Sequence, residues 1–369
     1  MKVTFNRAAL AEALGLVISV VPSRTPKPVL KCVRITASGK QVRICATNLE
    51  MGLTHVISEV EIVREGEVVV EANHLADIVR ASTEDVLLLE ATENTCEIRG
   101  TDSRFTIYGQ EPSQYPKVPS LEEGDVSFTI TLEQLQSGIQ QCLFATAKES
   151  SRYAINGVLW EIKGKKLLLV ATDGRRLARC RVALDTASKE GDGTQKIIVP
   201  ARTMALLEKI TAHDKEMVGV KVVENQILMR CSNVVISSNL VEGNFPKYED
   251  IIPTDYDKNL KLSTELALSA VRRASLLTSD ESKGIKLSVR ADTLVFSGSS
   301  PEAGAAEVGM PVEYGGEPID IGFNPVFLMD VLKVIGEPEF ELELGQPDRP
   351  GLIKSGNEFL YVLMPINLS

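Results

Sequence analysis

The sequence predicts an α+β fold in three tandem copies of one domain, each built of antiparallel sheets with two helices. Three observations carry this reading. Cys32-Val33-Arg34-Ile35 to Ala46-Thr47-Asn48 is echoed about 125 positions later by Gly157-Val158-Leu159-Trp160 to Ala171-Thr172-Asp173, and more faintly by Gly284-Ile285-Lys286-Leu287 to Phe296-Ser297-Gly298. Each copy closes on a bulky residue before proline, at Tyr115-Pro116, Phe245-Pro246 and Met364-Pro365. Each copy also reads as short strands interrupted by amphipathic helices. Solenoid repeats run to roughly 20–50 residues, so this spacing is a domain period. It sets domains at 1–122, 127–252 and 256–369.

The elements follow one plan. A short strand leads into a capped helix: Asn6 opens one carrying Leu10, Leu14, Val17 and Val21. Thr131 and Gln134 stand at capping-box spacing ahead of Leu135, Ile139 and Cys142, and Ser263 or Thr264 starts the third such helix, through Leu266, Val271 and Leu276-Leu277. Paired strands follow, as in Val158–Ile162 and Leu167–Ala171 around a turn at Lys163-Gly164-Lys165. Second helices are predicted over His74–Arg80, Arg202–Ile210 and Asn324–Ile335, before the strands that reach each proline. Pro112–Gly124 and Pro246–Asp257 are Pro-rich, charged and aperiodic, as connectors holding neighbouring domains at a fairly fixed angle would be. Leu184–Lys196 reads as a mobile surface loop.

At 369 residues the chain is long enough for two or three cores. A hydrophobic content of 44% with 24% charged residues is that of a soluble globular protein. Leu14–Val21 is too short and polar to span a bilayer, and no cleavage site follows Val3-Thr4-Phe5, so neither a membrane span nor a signal peptide is expected. Six cysteines without a CxxC pair read as buried cytosolic thiols, and three scattered histidines offer no metal spacing. The expected location is cytoplasmic. A net charge of −10 argues against ordinary nucleic-acid binding, which neutralises phosphates with Lys and Arg.

No nucleotide, zinc-protease, hydrolase or calcium-loop motif is present, and no catalytic residue, metal site or cofactor is assigned. Asp102, Asp173 and Glu161 lie near strand ends, where a nuclease could hold a metal; solvated carboxylates are the plainer reading. Ser23-Arg24 and Ser151-Arg152-Tyr153 read as polar loop groups rather than nucleophiles. In Ala171-Thr172-Asp173-Gly174-Arg175-Arg176-Leu177 a strand ends at Thr172 and Asp-Gly turns, displaying two guanidiniums and a leucine at a domain edge. Leu360 to Leu368 is an unusually apolar terminus, which composition reads as a buried last strand before an exposed one.

Ordered through all three repeats, these motifs resemble the bacterial DNA polymerase III β subunit, the sliding clamps, over the full length. Besides the opening at Met1-Lys2, they are Ala46-Thr47-Asn48-Leu49-Glu50-Met51, Arg152-Tyr153, Asn156-Gly157, Ala171 to Ala178, Phe245-Pro246, Gly322-Phe323-Asn324 and Met364-Pro365. The resemblance implies a non-enzymatic processivity factor. Two chains would close head to tail into a ring around duplex DNA, tethering the replicative polymerase α subunit and other proteins bearing clamp-motif peptides. With no nucleotide motif here, a separate ATP-driven clamp loader would open the ring. Encirclement needs little intrinsic affinity, which reconciles the acidic charge with DNA.

The resemblance also implies sites. Arg80, Arg202, Lys209, Arg272, Arg273 and Lys333, on predicted helices, become candidates for water-mediated phosphate contact; Arg24, Lys148, Arg152 and Tyr153 match DNA-touching loop positions, and Ala201 stands where a basic residue is frequent. A partner-peptide pocket between the second and third domains would use Ile155, Thr172, Gly174, Arg175, Arg176 and Leu177. Its other wall would be Pro246, Ile251, Asn324, Phe327, Val362, Met364, Pro365 and Ile366. Flexible Met and aliphatic walls suit several peptides in turn. Asp250, Arg175 and Asn367 depart from frequent basic, His and Arg residues, so the charged positions of the preferred peptide should differ. At the dimer interface Phe105 and Ile107 would meet Leu276 and Leu277, with Arg99 and Arg104 facing Glu302 and Glu307. That acidic stretch is sparse, so closure should depend little on salt. Two other classes compete: a metal nuclease using Asp102 or Asp173, and a monomeric peptide-binding scaffold, which would leave Leu276, Leu277 and Ile107 as unexplained apolar surface.

Overall fold

The computed structural model describes residues 1–122, 124–148, 154–187, 193–211, 215–278 and 284–367. The first repeat holds β1 (Lys2–Asn6), α1 (Arg7–Ile18), β2 (Cys32–Ser38), β3 (Gln41–Thr47), β4 (Met51–Ile57), β5 (Val60–Arg64), β6 (Gly66–Glu71), α2 (Ala72–Ala81), β7 (Val86–Thr92), β8 (Thr95–Arg99) and β9 (Arg104–Gln110). The second holds β10 (Phe128–Thr131), α3 (Leu132–Cys142), β11 (Gly157–Lys163), β12 (Lys166–Thr172), β13 (Arg176–Ala183), β14 (Gln195–Pro200), α4 (Ala201–Leu207), β15 (Met217–Val223), β16 (Gln226–Cys231) and β17 (Val234–Asn239). The third holds β18 (Lys258–Ser263), α5 (Thr264–Ala274), β19 (Ile285–Arg290), β20 (Thr293–Ser300), β21 (Gly304–Pro311), β22 (Ile319–Phe323), α6 (Pro325–Val334), β23 (Glu339–Leu344), β24 (Gly351–Ser355) and β25 (Phe359–Leu363). Apart from β5, which pairs with β1, the order of elements is identical in the three.

Local chemistry explains the repeat. Thr47 Oγ1 accepts from Leu49 N and donates to Met51 O, while Asn48 Oδ1 accepts from Glu50 N and Met51 N at 3.0 and 2.7 Å. In the second copy Thr172 does the same for Gly174 N and Arg176 O, and Asp173 Oδ1 accepts from Arg175 N and Arg176 N at 2.9 and 3.1 Å. The residue inside each turn has positive φ, 78° at Leu49 and 86° at Gly174. Helix starts are equally local: Asn6 Oδ1 caps α1 on Ala9 N, Ser263 Oγ caps α5 on Leu266 N, and Asn324 Oδ1 with Pro325 opens α6 on Val326 N. Ser263 rather than Thr264 is therefore the cap.

Helix ends depart further from expectation. Helix α1 stops at Ile18, so Val21 lies outside it, and α4 ends at Leu207, leaving Lys209 in the following turn. Leu276 and Leu277 sit in a 3₁₀ turn, Ser275–Leu277, after α5. Periodicity continues through such turns because one more apolar residue packs there, although the i→i−4 ladder has ended.

The chain divides into two compact units: Met1–Glu133 with Leu184–Gly191 and Ala205–Leu240, and Gln134–Ala183 with Asp192–Met204 and Val241–Ser369. Unit 1 carries one antiparallel sheet of 13 strands, in the order β10-β15-β16-β17-β4-β3-β2-β6-β9-β8-β7-β1-β5. Helices α1 and α2 pack together, and α1 covers β3 and β4 with Leu10, Leu14 and Val17, all fully buried. Unit 2 carries an eight-stranded sheet, β14-β11-β12-β13-β25-β24-β23-β18, and a four-stranded one, β21-β20-β19-β22, against which α5 packs beside α6. Sheets therefore run across repeats: the last strand of one copy pairs with the fourth strand of the copy before, as β17 on β4 and β25 on β13.

Both connectors are anchored. The buried Tyr115 donates from its hydroxyl to Cys32 O at 3.1 Å and Cys45 O at 3.3 Å, and Tyr248 is buried in an apolar cluster with Leu177, Leu360 and Val362. In the Leu184–Lys196 loop Thr186 Oγ1 accepts from Thr129 N, and residues 188–192 lie outside the described residues. All six cysteines are free thiols, five of them buried, and burial raises each thiol pKa, to about 11 at Cys32 and Cys45 and about 12 at Cys96, Cys180 and Cys231.

Candidate functional site

The Thr172–Leu177 turn gathers most of the predicted pocket residues on unit 2. Strand β13 pairs with β25 so that Leu177 faces Val362 and Arg176 faces Leu363, and Met364 N continues the ladder to Arg175 O at 3.0 Å. Leu177 and Val362 lie in the cluster that also contains Ala154 and Tyr248, with Phe245 and Ile252 packed against it. This places the neighbours of Ile155, Pro246 and Ile251 on the same apolar floor. Ile251 and Met364 are 38% and 40% exposed above it. The Leu360–Leu368 run thus divides: β25 is buried throughout, while Met364, Pro365 and Ile366 are at least partly exposed, with Ile366 N donating to Gly322 O.

Arg176 corrects the expectation of two displayed guanidiniums. Arg175 and Gly174 are exposed, but Arg176 is 8% exposed. Its Nε pairs with Asp173 at 3.0 Å, its Nη1 with Asp330 at 2.8 Å, and its Nη2 donates to Phe144 O at 2.7 Å. The guanidinium plane lies over Phe327, 4.2 Å from the ring centre, and 5.4 Å from that of Phe144. Tyr361 donates to Phe327 O at 3.1 Å, and burial raises its phenol pKa, keeping it a donor. Arg176 therefore ties β13 to α6 and fixes the Phe327 side of the groove. Phe144, Asp330 and Tyr361 were missed from sequence. Asp330 had one faint signal, its i+3 spacing from Phe327.

The basic candidates are spread over surfaces. Arg24 and Lys148 are exposed, while Arg152 and Tyr153 lie outside the described residues. Arg80, Arg272, Arg273 and Lys333 occupy last turns of α2, α5 and α6, where cations also favour the helix dipole. Arg80 pairs with Asp77 at 3.3 Å, and Lys333 with Asp330 at 3.9 Å. Arg202 is exposed on α4, and Lys209 in the turn beyond it. The exposed faces of α1 and α3 bear Glu12 and Glu133 and, beyond Arg7, no basic residue.

Strand β9 pairs with β8, and only its last two residues reach β6. Phe105 is 39% exposed there, Tyr108 84%, and Ile107 half-buried. On unit 2, β21 pairs only with β20 among the described residues, beside Leu276 at 73% exposure and the half-buried Leu277. Arg99 and Arg104 do not point to free acidic partners: both hold Glu97, Arg99 with bonds of 2.6 and 2.9 Å. Those hydrogen bonds, Arg99's foremost, hold the Glu97 carboxyl down at about 2. Glu302 and Glu307 are exposed.

Two of the carboxylates considered for a metal are engaged otherwise. Asp173 serves the turn and Arg176, and Glu161 pairs with Lys196 at 2.5 Å, while Asp102 is exposed to solvent.

Comparison with known proteins converges on one family. Models described as the DNA polymerase III beta subunit N-terminal, central and C-terminal domains match residues 1–119, 129–247 and 249–367. The beta sliding clamp of Pseudomonas putida is 32% identical, and that of Bacillus subtilis 28%, each aligned over at least 99% of both chains. Among solved structures, a sliding clamp of Pseudomonas aeruginosa bound to griselimycin has a TM-score of 0.92 at 31% identity, covering all of both chains. The Bacillus subtilis clamp has a TM-score of 0.93 at 28% identity, covering 100% of this chain and 99% of that one. The chain belongs to the DNA polymerase III beta subunit family, the sliding clamps, and is a non-catalytic processivity factor that tethers the polymerase in DNA replication.

Proposed function

We propose that two copies of this chain close head to tail into a ring around duplex DNA, in the cytoplasm and on the nucleoid. The observation that carries this is the pattern of strand edges. The last strand of the second and third repeats pairs with the fourth strand of the preceding repeat, as β17 on β4 and β25 on β13. Two members of that series lack such a partner among the described residues: β9, which ends the first repeat, and β21, the fourth strand of the last. An exposed strand edge is a template for pairing with another chain. Pairing β9 of one copy with β21 of a second repeats a junction used twice already, and two such junctions satisfy both copies, as closed symmetry requires. Phe105, Ile107, Leu276 and Leu277 then become buried. The domains 1–122, 127–252 and 256–369 are the units of this arrangement.

The groove of Leu177, Val362 and Met364 is the seat for short apolar peptide motifs of the polymerase α subunit, of the clamp loader and of other partners in turn. Arg24, Arg80, Lys148, Arg152, Tyr153, Arg202, Lys209, Arg272, Arg273 and Lys333 supply weak phosphate contacts. Retention is topological, so affinity contributes little.

The test loads the chain onto nicked circular DNA with an ATP-driven loader, then sediments it before and after the DNA is linearised. Retention on circles with loss from linear ends is expected. Equal retention on both would show direct binding, and loss from both would favour a monomeric scaffold.

A further inference from the structure

A basin of about 750 Å³ lies on one face of β2, β3, β4, β16 and β17 in unit 1, walled by residues 118–122. It sits beside the β17–β4 junction, the counterpart of the β25–β13 junction under the peptide groove. Its chemistry differs. Where β13 and β25 pair Leu177 with Val362, β4 and β17 pair Gly52 with Ser237, and Val118 closes the space over Gly52, 2.6 Å from where a Cβ would stand. The deep apolar seat is therefore filled.

The open part is bounded by three arginines. Arg34 on β2 and Arg43 on β3 stand at one end and Arg230 on β16 at the other, with Val56, Leu121 and Val235 between them. Arg34 is held by Glu67 at 2.6 Å, and Arg230 donates to Leu121 O at 3.4 Å. Arg43 is exposed and has no partner among the described residues. Three inter-strand steps separate β3, which carries Arg43, from β16, roughly 14 Å, which an extended peptide spans in about four residues.

We infer that this basin binds a short extended acidic segment of a protein partner, with carboxylates at its ends on Arg43 and Arg230 and a small aliphatic residue over Val56 and Val235. In a chain of net charge −10 such a concave arginine-bounded surface selects negative ligands by complementarity. Nucleic acid fits it less well: among the described residues no aromatic side chain lines the basin for a base to stack on. The inference does not depend on the occupant of the unit 2 groove.

The test is fluorescence anisotropy of a labelled hexapeptide, Asp-Glu-Val-Ala-Leu-Glu, titrated with the full chain in low salt. Saturable binding is expected, weakened at least about tenfold by Arg43→Glu and retained by Arg43→Lys, since a charge-assisted contact is reversed in one and kept in the other. Circular dichroism confirms that both variants fold. Absence of saturable binding would overturn the inference. So would equal binding by Arg43→Glu, loss of binding in Arg175→Glu instead, or tighter Arg43-dependent binding of a single-stranded oligonucleotide.

Discussion

At the scale of single residues, the groove depends on a buried cation. Arg176 satisfies Asp173, Asp330 and a backbone carbonyl while stacking on Phe327. Truncation in Arg176→Ala removes the guanidinium from two partly buried carboxylates, leaving Asp330 only Lys333 at 3.9 Å and Asp173 only its turn N–H groups, so urea unfolding should show a loss of about 3 kcal/mol. Peptide binding to the groove should fall as well, because Phe327 loses its support. Glu97 gives a pH signature. Its folded pKa of about 2 lies below the ordinary value of 4.5, so its contribution is complete above pH 4.5 and disappears as pH falls toward 2. The Glu97→Gln variant should therefore lose less stability than the parent between pH 4.5 and 2 in acid denaturation. An identical slope for both would show that the pair with Arg99 and Arg104 is not maintained in solution.

At the scale of elements, strand edges decide assembly. Intrachain pairing of Arg99 and Arg104 with Glu97 leaves fewer charges for a junction with Glu302 and Glu307, which strengthens the expectation of apolar closure. Sedimentation should find dimers at both 0.1 and about 1 M salt, because exposed ion pairs contribute only about 0–1 kcal/mol each. Leu276→Asp leaves the fold intact, since the side chain is 73% exposed, and should weaken the dimer about tenfold or more through lost apolar burial. Salt-driven dissociation of the parent chain, or an unaffected Leu276→Asp dimer, would place the contact elsewhere. The turns make a second element-scale case. Gly174 has open space around its Cα but φ of 86°, so Gly174→Ala should cost about 1–2 kcal/mol from backbone strain alone, read by thermal unfolding.

At the scale of the whole molecule, acidic charge and sparse basic helix faces predict weak direct affinity for DNA. Without a loader, linear duplex should be bound weakly and with a shallow salt dependence, because few phosphates are neutralised at once. A steep slope in a filter-binding titration would indicate a direct contact surface instead of encirclement. The three-repeat plan itself was legible in the chain, because Thr47-Asn48 and Thr172-Asp173 form their turns with local hydrogen bonds and Asn6, Ser263 and Asn324 cap their helices locally. The residues proposed for the groove were named through resemblance to a family. The role of Arg176 was not legible: its partners Phe144 and Asp330 lie 32 and 154 positions away, brought together only by packing. Nor was the filled seat at Gly52, since Val118 belongs to a connector without periodicity. Short-range hydrogen bonding and apolar periodicity are written in neighbouring residues, so sequence determined the repeat, its elements and its turns. Which strand pairs across repeats, which edges stay open and which arginine is buried depend on contacts distant in the chain, and only the tertiary structure decided those.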